Sequence, residues 1–262
     1  MTPPLTVVIT GASTGIGRAL ALEMARRGFA LGLTARRLPL LEQLRDEIHA
    51  ACGKALRVEL ATVDVCQTAS VGPALHELIA RLGGIDTIVV NAGVNDVTHV
   101  GGGELEKEIN LIQTNVAGAI ATINAATEHF LKRGKGHIVG ISSLASLQPI
   151  ATQAAYCASK AALLMYLKFG AHRTQAPGHR DYRYHARLHQ DRHRRRRRHQ
   201  PVALGDLGRA GGARDGRNHR KTPEVVRRAG LSVEAGATLL WSPSRTRHPA
   251  LEAALTIESG RR

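Results

Sequence analysis

Tyr156 and Lys160 stand four residues apart in "YCASK", so a helix carrying them projects both from one face. A lysine ammonium beside a tyrosine favours the phenolate and lowers its pKa from about 10. Such a tyrosine can give or take a proton while a hydride moves at a neighbouring carbon. Ser143, thirteen residues before Tyr156, can hydrogen-bond the substrate oxygen. Asn115 can hold a water that relays protons to Lys160. A lone Tyr-x3-Lys pair is ordinary on an amphipathic helix. Four such groups in one chain with a glycine-rich turn are hard to explain by packing.

That turn is "TGASTGIG", Thr10 to Gly17. Gly11 allows a tight turn, while Gly15 and Gly17 let a pyrophosphate approach the backbone, with Ser13 and Ile16 beside it. The N–H groups and dipole of the helix it opens favour an anion. The spacing is G-x3-G-x-G rather than G-x-G-x-x-G. "TARR" follows the second apolar run without the acidic residue that a free ribose 2′-OH calls for. Arg36 and Arg37 instead offer charge-assisted contacts to a 2′-phosphate, favouring NADP(H) over NAD(H). Asp64 can hydrogen-bond near an adenine, and Asn91, Ala92 and Gly93 form a turn over the cofactor. Asp64 and Asn91 are equally ordinary turn formers.

The elements that must position these groups alternate. "LTVVIT", "ALGLT", "RVELATV", "DTIVV" and "HIVGIS" read as strands, mostly continuous apolar runs suited to parallel strands covered on both faces. Helical patterns lie between them, including one long segment from about Glu104 to Lys132. Gly28, Gly53 and Gly83 sit where helices stop. The fold class expected is α/β, a Rossmann-type doubly wound parallel sheet, with every polar motif at the carboxyl end of a strand.

"TGASTGIG", "NAG", Asn115, Ser143 and "YCASK" together resemble the short-chain dehydrogenase/reductase family over residues 5 to about 167. The resemblance implies a nicotinamide cofactor that also contacts Tyr156 and Lys160. It places Asn115, Ser143, Tyr156 and Lys160 in the roles above, with Tyr156 as general acid/base. It also implies a small carbonyl or alcohol substrate and a homo-oligomer built through the fourth and fifth helices.

Composition divides the chain near Lys168. Residues 1–167 hold 14 Lys and Arg against 13 Asp and Glu, and the remaining 95 hold 22 against 8. The first part is read as the cofactor-binding domain with its catalytic residues, and 168–262 as a basic, poorly ordered tail. Cys52, Cys66 and Cys157 show neither metal-ligand spacing nor an even framework, which suits a reducing, cytoplasmic setting. No apolar run approaches membrane length, and "MTPPLTVVIT" lacks the basic start of a signal peptide.

Beyond "ALLMYL" the family pattern stops. Pro177-Gly178 lacks a preceding apolar strand, and no window from 168 to 230 shows convincing periodicity. An extra nucleotide near the Lys168 codon explains the break. Each restored codon takes two bases of one observed codon and one of the next, and a permitted reading continues the helix, an alternating strand and Pro-Gly. Alanine codons GCC displaced by one base read CGC, so Arg194 to Arg198 mask an alanine-rich stretch. The expected consequences are a sheet that ends after its fifth strand and the following helix, and impaired activity. Two alternatives carry different tests. A nucleic-acid-binding protein using the basic tail would show steeply salt-dependent affinity, though the block lacks interleaved aromatics, leaving only non-specific contact. A non-catalytic cofactor-sensing relative would bind NADPH without turnover.

Overall fold

A computed structural model describes residues 4–173 and the backbone of 182–189; side chains are described through Gly170. Six parallel strands are interleaved with helices: β1 (Thr6–Thr10), α1 (Gly15–Arg26), β2 (Ala30–Ala35), α2 (Leu38–Cys52), β3 (Val58–Thr62), α3 (Thr68–Leu82) and β4 (Thr87–Val90) form the first half. Then come α4 (Leu105–Ile112), a π-helical turn (Gln113–Ala117), α5 (Gly118–Arg133), β5 (Gly136–Ser143), a 3-10 turn (Leu144–Ser146), α6 (Ala154–Arg173) and β6 (Tyr182–His189). The strand order is β3-β2-β1-β4-β5-β6. The order reverses between β1 and β4, and the crevice at their carboxyl ends is where such sheets take ligands.

Each face of the sheet carries its own core, which explains why the inner strands read as unbroken apolar runs. Val7, Ile9, Leu31 and Leu33 pack against Leu20 and Met24 of α1 and Leu41, Leu44 and Ile48 of α2. On the other face Val8, Ile88 and Ile138 meet α3, α5 and α6 through Leu75, Leu78, Phe130 and Leu167. A side chain at Gly32 would stand 2.8 Å from both Leu82 and Val8, so α3 packs directly on the strand backbone.

Two features depart from expectation. The segment read as one long helix is interrupted at Gln113–Ala117, where π geometry inserts an extra residue and re-aims Asn115. The sheet also does not end at its fifth strand: Tyr182–His189 pairs in parallel with Gly136–Ser143. In "YRYHARLH" Tyr182, Tyr184, Ala186 and Leu188 alternate strictly with Arg and His, a period-two signal obscured by the surrounding charge. The helix before it runs to Arg173, past the boundary expected at Leu167. The Arg194–Arg198 block and the remainder of the tail lie outside the described residues.

At the amino-terminal edge of the sheet, Asp86 accepts the Thr6 N–H at 2.9 Å and one N–H of Arg133 at 3.1 Å. His129 of α5 accepts the Ile85 N–H through Nε2 at 3.2 Å, which only an unprotonated ring nitrogen can do. Burial, then the neighbouring Arg133 charge, holds the His129 pKa below the usual histidine value. The unfolded chain therefore takes up this proton at higher pH than the fold does. The contribution is present in full above about pH 6.5 and is lost as pH falls below it. Thermal melts at pH 7.5 and 5.5 are expected to show a smaller acid-induced drop in Tm for His129→Gln than for the parent.

Candidate functional site

The turn after β1 is built on glycines, two of which, Gly11 and Gly17, leave no room for a side chain. Gly11 has φ +66°, and a Cβ there would lie 2.8 Å from the Ala92 Cα. Gly15, at φ +59°, faces open space. Thr14 at the head of α1 makes no side-chain cap, and the first turn holds no acidic residue. Its leading N–H groups have no side-chain cap, and a helix head of this kind can hold an anion. Gly17 does not line the cleft. A Cβ there would stand 2.5 Å from both the Asn91 Nδ2 and the Gly11 carbonyl oxygen, so Gly17 permits the helix to close on the turn.

A cleft of about 330 Å³ opens at the carboxyl ends of β1, β2, β4 and β5. Gly11, Ser13, Gly15 and Ile16 line one part, and Arg36 and Arg37 another. Asp64 and the turn of Asn91, Ala92 and Gly93 line its middle, and Tyr156 and Lys160 its far end. Both arginines are exposed at the rim. Asp64 Oδ1 accepts the Cys66 N–H at 3.1 Å, which shapes the turn after β3. Asn91 donates through Nδ2 to the carbonyls of Thr10 at 2.9 Å and Gly11 at 3.1 Å.

Tyr156 and Lys160 are both buried near the head of α6. The Lys160 Nζ donates to the Ile141 carbonyl at 2.8 Å and lies 5.7 Å from the Tyr156 ring centre. Ser143 is buried at the end of β5, where its Oγ accepts the Ala145 N–H at 3.1 Å and caps the 3-10 turn. Asn115 lies behind the cleft wall. Its Oδ1 accepts the Val94 N–H, and its Nδ2 donates to the Val94 carbonyl, both at 2.8 Å. The second Nδ2 hydrogen goes to the Ser159 Oγ at 3.0 Å. Both donors of this amide are engaged, so a water relayed through Asn115 would use its backbone carbonyl rather than the side-chain N–H groups.

The short chain dehydrogenase family model matches residues 5–178. The chain belongs to that family. An uncharacterized oxidoreductase of Myxococcus xanthus is 42% identical over 163 residues, covering 62% of this chain and 63% of that protein. Another, of Mycobacterium tuberculosis, is 36% identical over 156 residues, covering 59% and 61%. This chain thus spans less than two thirds of the length of the curated relatives it matches. Among solved structures, a short-chain type dehydrogenase/reductase from Mycobacterium marinum has a TM-score of 0.61 at 32% identity, covering 65% of this chain and 69% of that one. An alcohol dehydrogenase from the archaeon Thermococcus sibiricus, complexed with 5-hydroxy-NADP, has a TM-score of 0.62 at 29% identity, covering 65% and 72%.

Several residues of this short-chain dehydrogenase site escaped the sequence reading. Ser142 lines the cleft where its neighbour Ser143 does not, and the Ser142 Oγ donates to the Lys160 carbonyl at 3.1 Å. Thr10 joins the ends of β1 and β4: its hydroxyl donates to the Val89 carbonyl at 3.4 Å and accepts the N–H of Asn91 and Ala92 at 3.0 and 3.1 Å. A threonine closing an apolar strand carries no pattern to mark that role. Gly17→Ala is expected to force α1 off the turn. It should cost on the order of 1–3 kcal/mol in chemical denaturation and weaken dinucleotide binding by fluorescence titration.

Proposed function

We propose that this protein is an NADP(H)-dependent oxidoreductase interconverting a carbonyl compound and a secondary alcohol, with Tyr156 as the general acid/base. One observation carries the reading: Tyr156 and Lys160 face the same cleft as the glycine turn of α1. The residues fit the cofactor. The uncapped head of α1 suits its pyrophosphate, and Arg36 and Arg37 at the end of β2 suit a 2′-phosphate. Asp64, Asn91, Ala92 and Gly93 would flank the remainder. The cofactor supplies the hydride when bound. Lys160, fixed by the Ile141 carbonyl, stabilises the phenolate, while Ser143 orients the substrate oxygen and Tyr156 exchanges its proton.

Tyr156→Phe is expected to lower kcat for NADPH-dependent carbonyl reduction by about 100-fold or more while leaving the NADPH Kd within twofold. Equal turnover by the two proteins would overturn the assignment. The double variant Arg36→Ala/Arg37→Ala is expected to weaken NADPH roughly tenfold or more, from about 1.5–3 kcal/mol per charged hydrogen bond, without changing NADH. An equal loss for both cofactors would remove the proposed preference.

The same proposal takes residues 1–167 as the functional domain and 168–262 as text displaced by one nucleotide. Sequencing the codons for Leu167 and Lys168 from source DNA tests the displacement directly. If the displacement removes a Pro-Gly loop that would cover the nicotinamide, NADPH binding is expected to persist with weak turnover, and vigorous carbonyl reduction would refute that part. Leu105 and Ile109 of α4 and Met165 and Phe169 of α6 are exposed apolar side chains, which supports a homo-oligomer through these helices. A cytoplasmic setting is part of the same proposal. Among the described residues no helix is long and apolar enough to cross a membrane. Neither the fold nor the similar proteins lend support to a nucleic-acid-binding function.

A further inference from the structure

Ser159 is fully buried and sits between the two residues of the proposed proton-transfer pair in sequence, next to Lys160 and one turn after Tyr156. Its Oγ donates to the Tyr156 carbonyl at 2.8 Å and accepts the Asn115 Nδ2 at 3.0 Å. Through Asn115 the link reaches both backbone groups of Val94, the residue after the cleft turn. Lys160 makes the second attachment of this helix, through its carbonyl to Ser142 and its Nζ to the Ile141 carbonyl. Helix α6 is therefore pinned to two walls of the cleft at consecutive residues, to β5 by Lys160 and to the segment after β4 by Ser159.

The choice of residue is informative. Ala154, Ala155, Ala158, Ala161 and Ala162 surround position 159 on the same helix, and alanine is the better helix former there. A serine in a helix interior bonds back to its own preceding turn, and that bond leaves its lone pairs for an outside donor. Here the outside donor is a buried amide whose other hydrogen is held by the Val94 carbonyl. Close approach is built into the same corner: a Cβ on Gly93 would lie 3.0 Å from the Asn115 Oδ1 and 3.6 Å from the Lys160 Nζ.

We propose that Ser159 is a positioning residue, locking α6 against Asn115 so that Tyr156 and Lys160 keep their depth and orientation in the cleft. The rate arm of its test rests on the oxidoreductase reading above; a second arm does not. Ser159→Ala is expected to lower kcat about tenfold, leave the NADPH Kd within twofold and displace the pH–rate profile. Ultraviolet difference titration against Tyr156→Phe is expected to show the ionisation of Tyr156 moving to higher pH in Ser159→Ala. Ser159→Cys is nearly isosteric but a weak hydrogen-bonding group. It should fall between parent and alanine variant, and it carries the test if the alanine variant does not fold. Unchanged kcat, pH profile and tyrosine titration would overturn the proposal, as would loss of NADPH binding in step with turnover. If the parent turns over no carbonyl substrate, the oxidoreductase reading fails, while the titration alone upholds or refutes the role of Ser159.

Discussion

The site depends on how the carboxyl ends of β1 and β4 are held together where the sheet order reverses. Helices leave these two strands toward opposite faces, so the backbone there diverges and opens a crevice. Thr10 and Asn91 bridge that divergence. The Thr10 hydroxyl takes two N–H groups from the start of the β4 turn, and the Asn91 amide returns two bonds to the β1 turn. All are reciprocal contacts between residues about eighty positions apart in the chain. They fix the two loops at a spacing that only glycine tolerates at positions 11 and 17. The open head of α1 follows from that spacing, because the helix must start at the crevice to pack on both.

From this junction the remaining groups are placed in series. The turn after Asn91 carries Val94 to Asn115, Asn115 reaches Ser159, and α6 brings Tyr156 and Lys160 to the cleft. The π-helical turn matters here because it interrupts the segment between α4 and α5 at the residue whose amide must reach sideways. A regular helix through Gln113–Ala117 would present that side chain at a different angle. Buried polar groups in this chain of contacts are satisfied, which is what lets a lysine and an asparagine lie below the protein surface.

The glycine turn, the strand alternation and the Tyr156–Lys160 pair were legible because each rests on local rules. Positive φ, two-residue and 3.6-residue periodicity, and spacing on one helical face are all written within a few positions. Thr10, Ser142 and Ser159 were not legible, since their partners lie 18 to 82 residues away and nothing nearby marks the bond. The break at Asn115 was missed because "NLIQTNVAGAI" keeps an apolar pattern compatible with an unbroken helix. β6 was missed for a different reason. Its alternation of Tyr, Ala and Leu with Arg and His is regular, but it sits in a stretch whose overall charge dominated the reading.

Strain and an unmet hydrogen bond meet at one place on the rim of this site. Thr152 adopts φ +63°, which a β-branched residue rarely accepts, and its carbonyl receives the Thr98 N–H at 3.0 Å. Thr98 is buried, and its hydroxyl oxygen is the one buried side-chain polar atom without a partner among the described residues. The parallel bridge of Thr98 with Gln153 joins the loop after β4 to the loop that leads into α6, whose first residue is Ala154. Each feature costs stability locally, and both persist because the surrounding contacts over-determine the backbone there. Val94 and Ile150 come from these same two loops, and both pack against the buried cluster of Leu111, Ala145 and Tyr156. The bridge therefore ties together the two loops that supply apolar neighbours to the tyrosine.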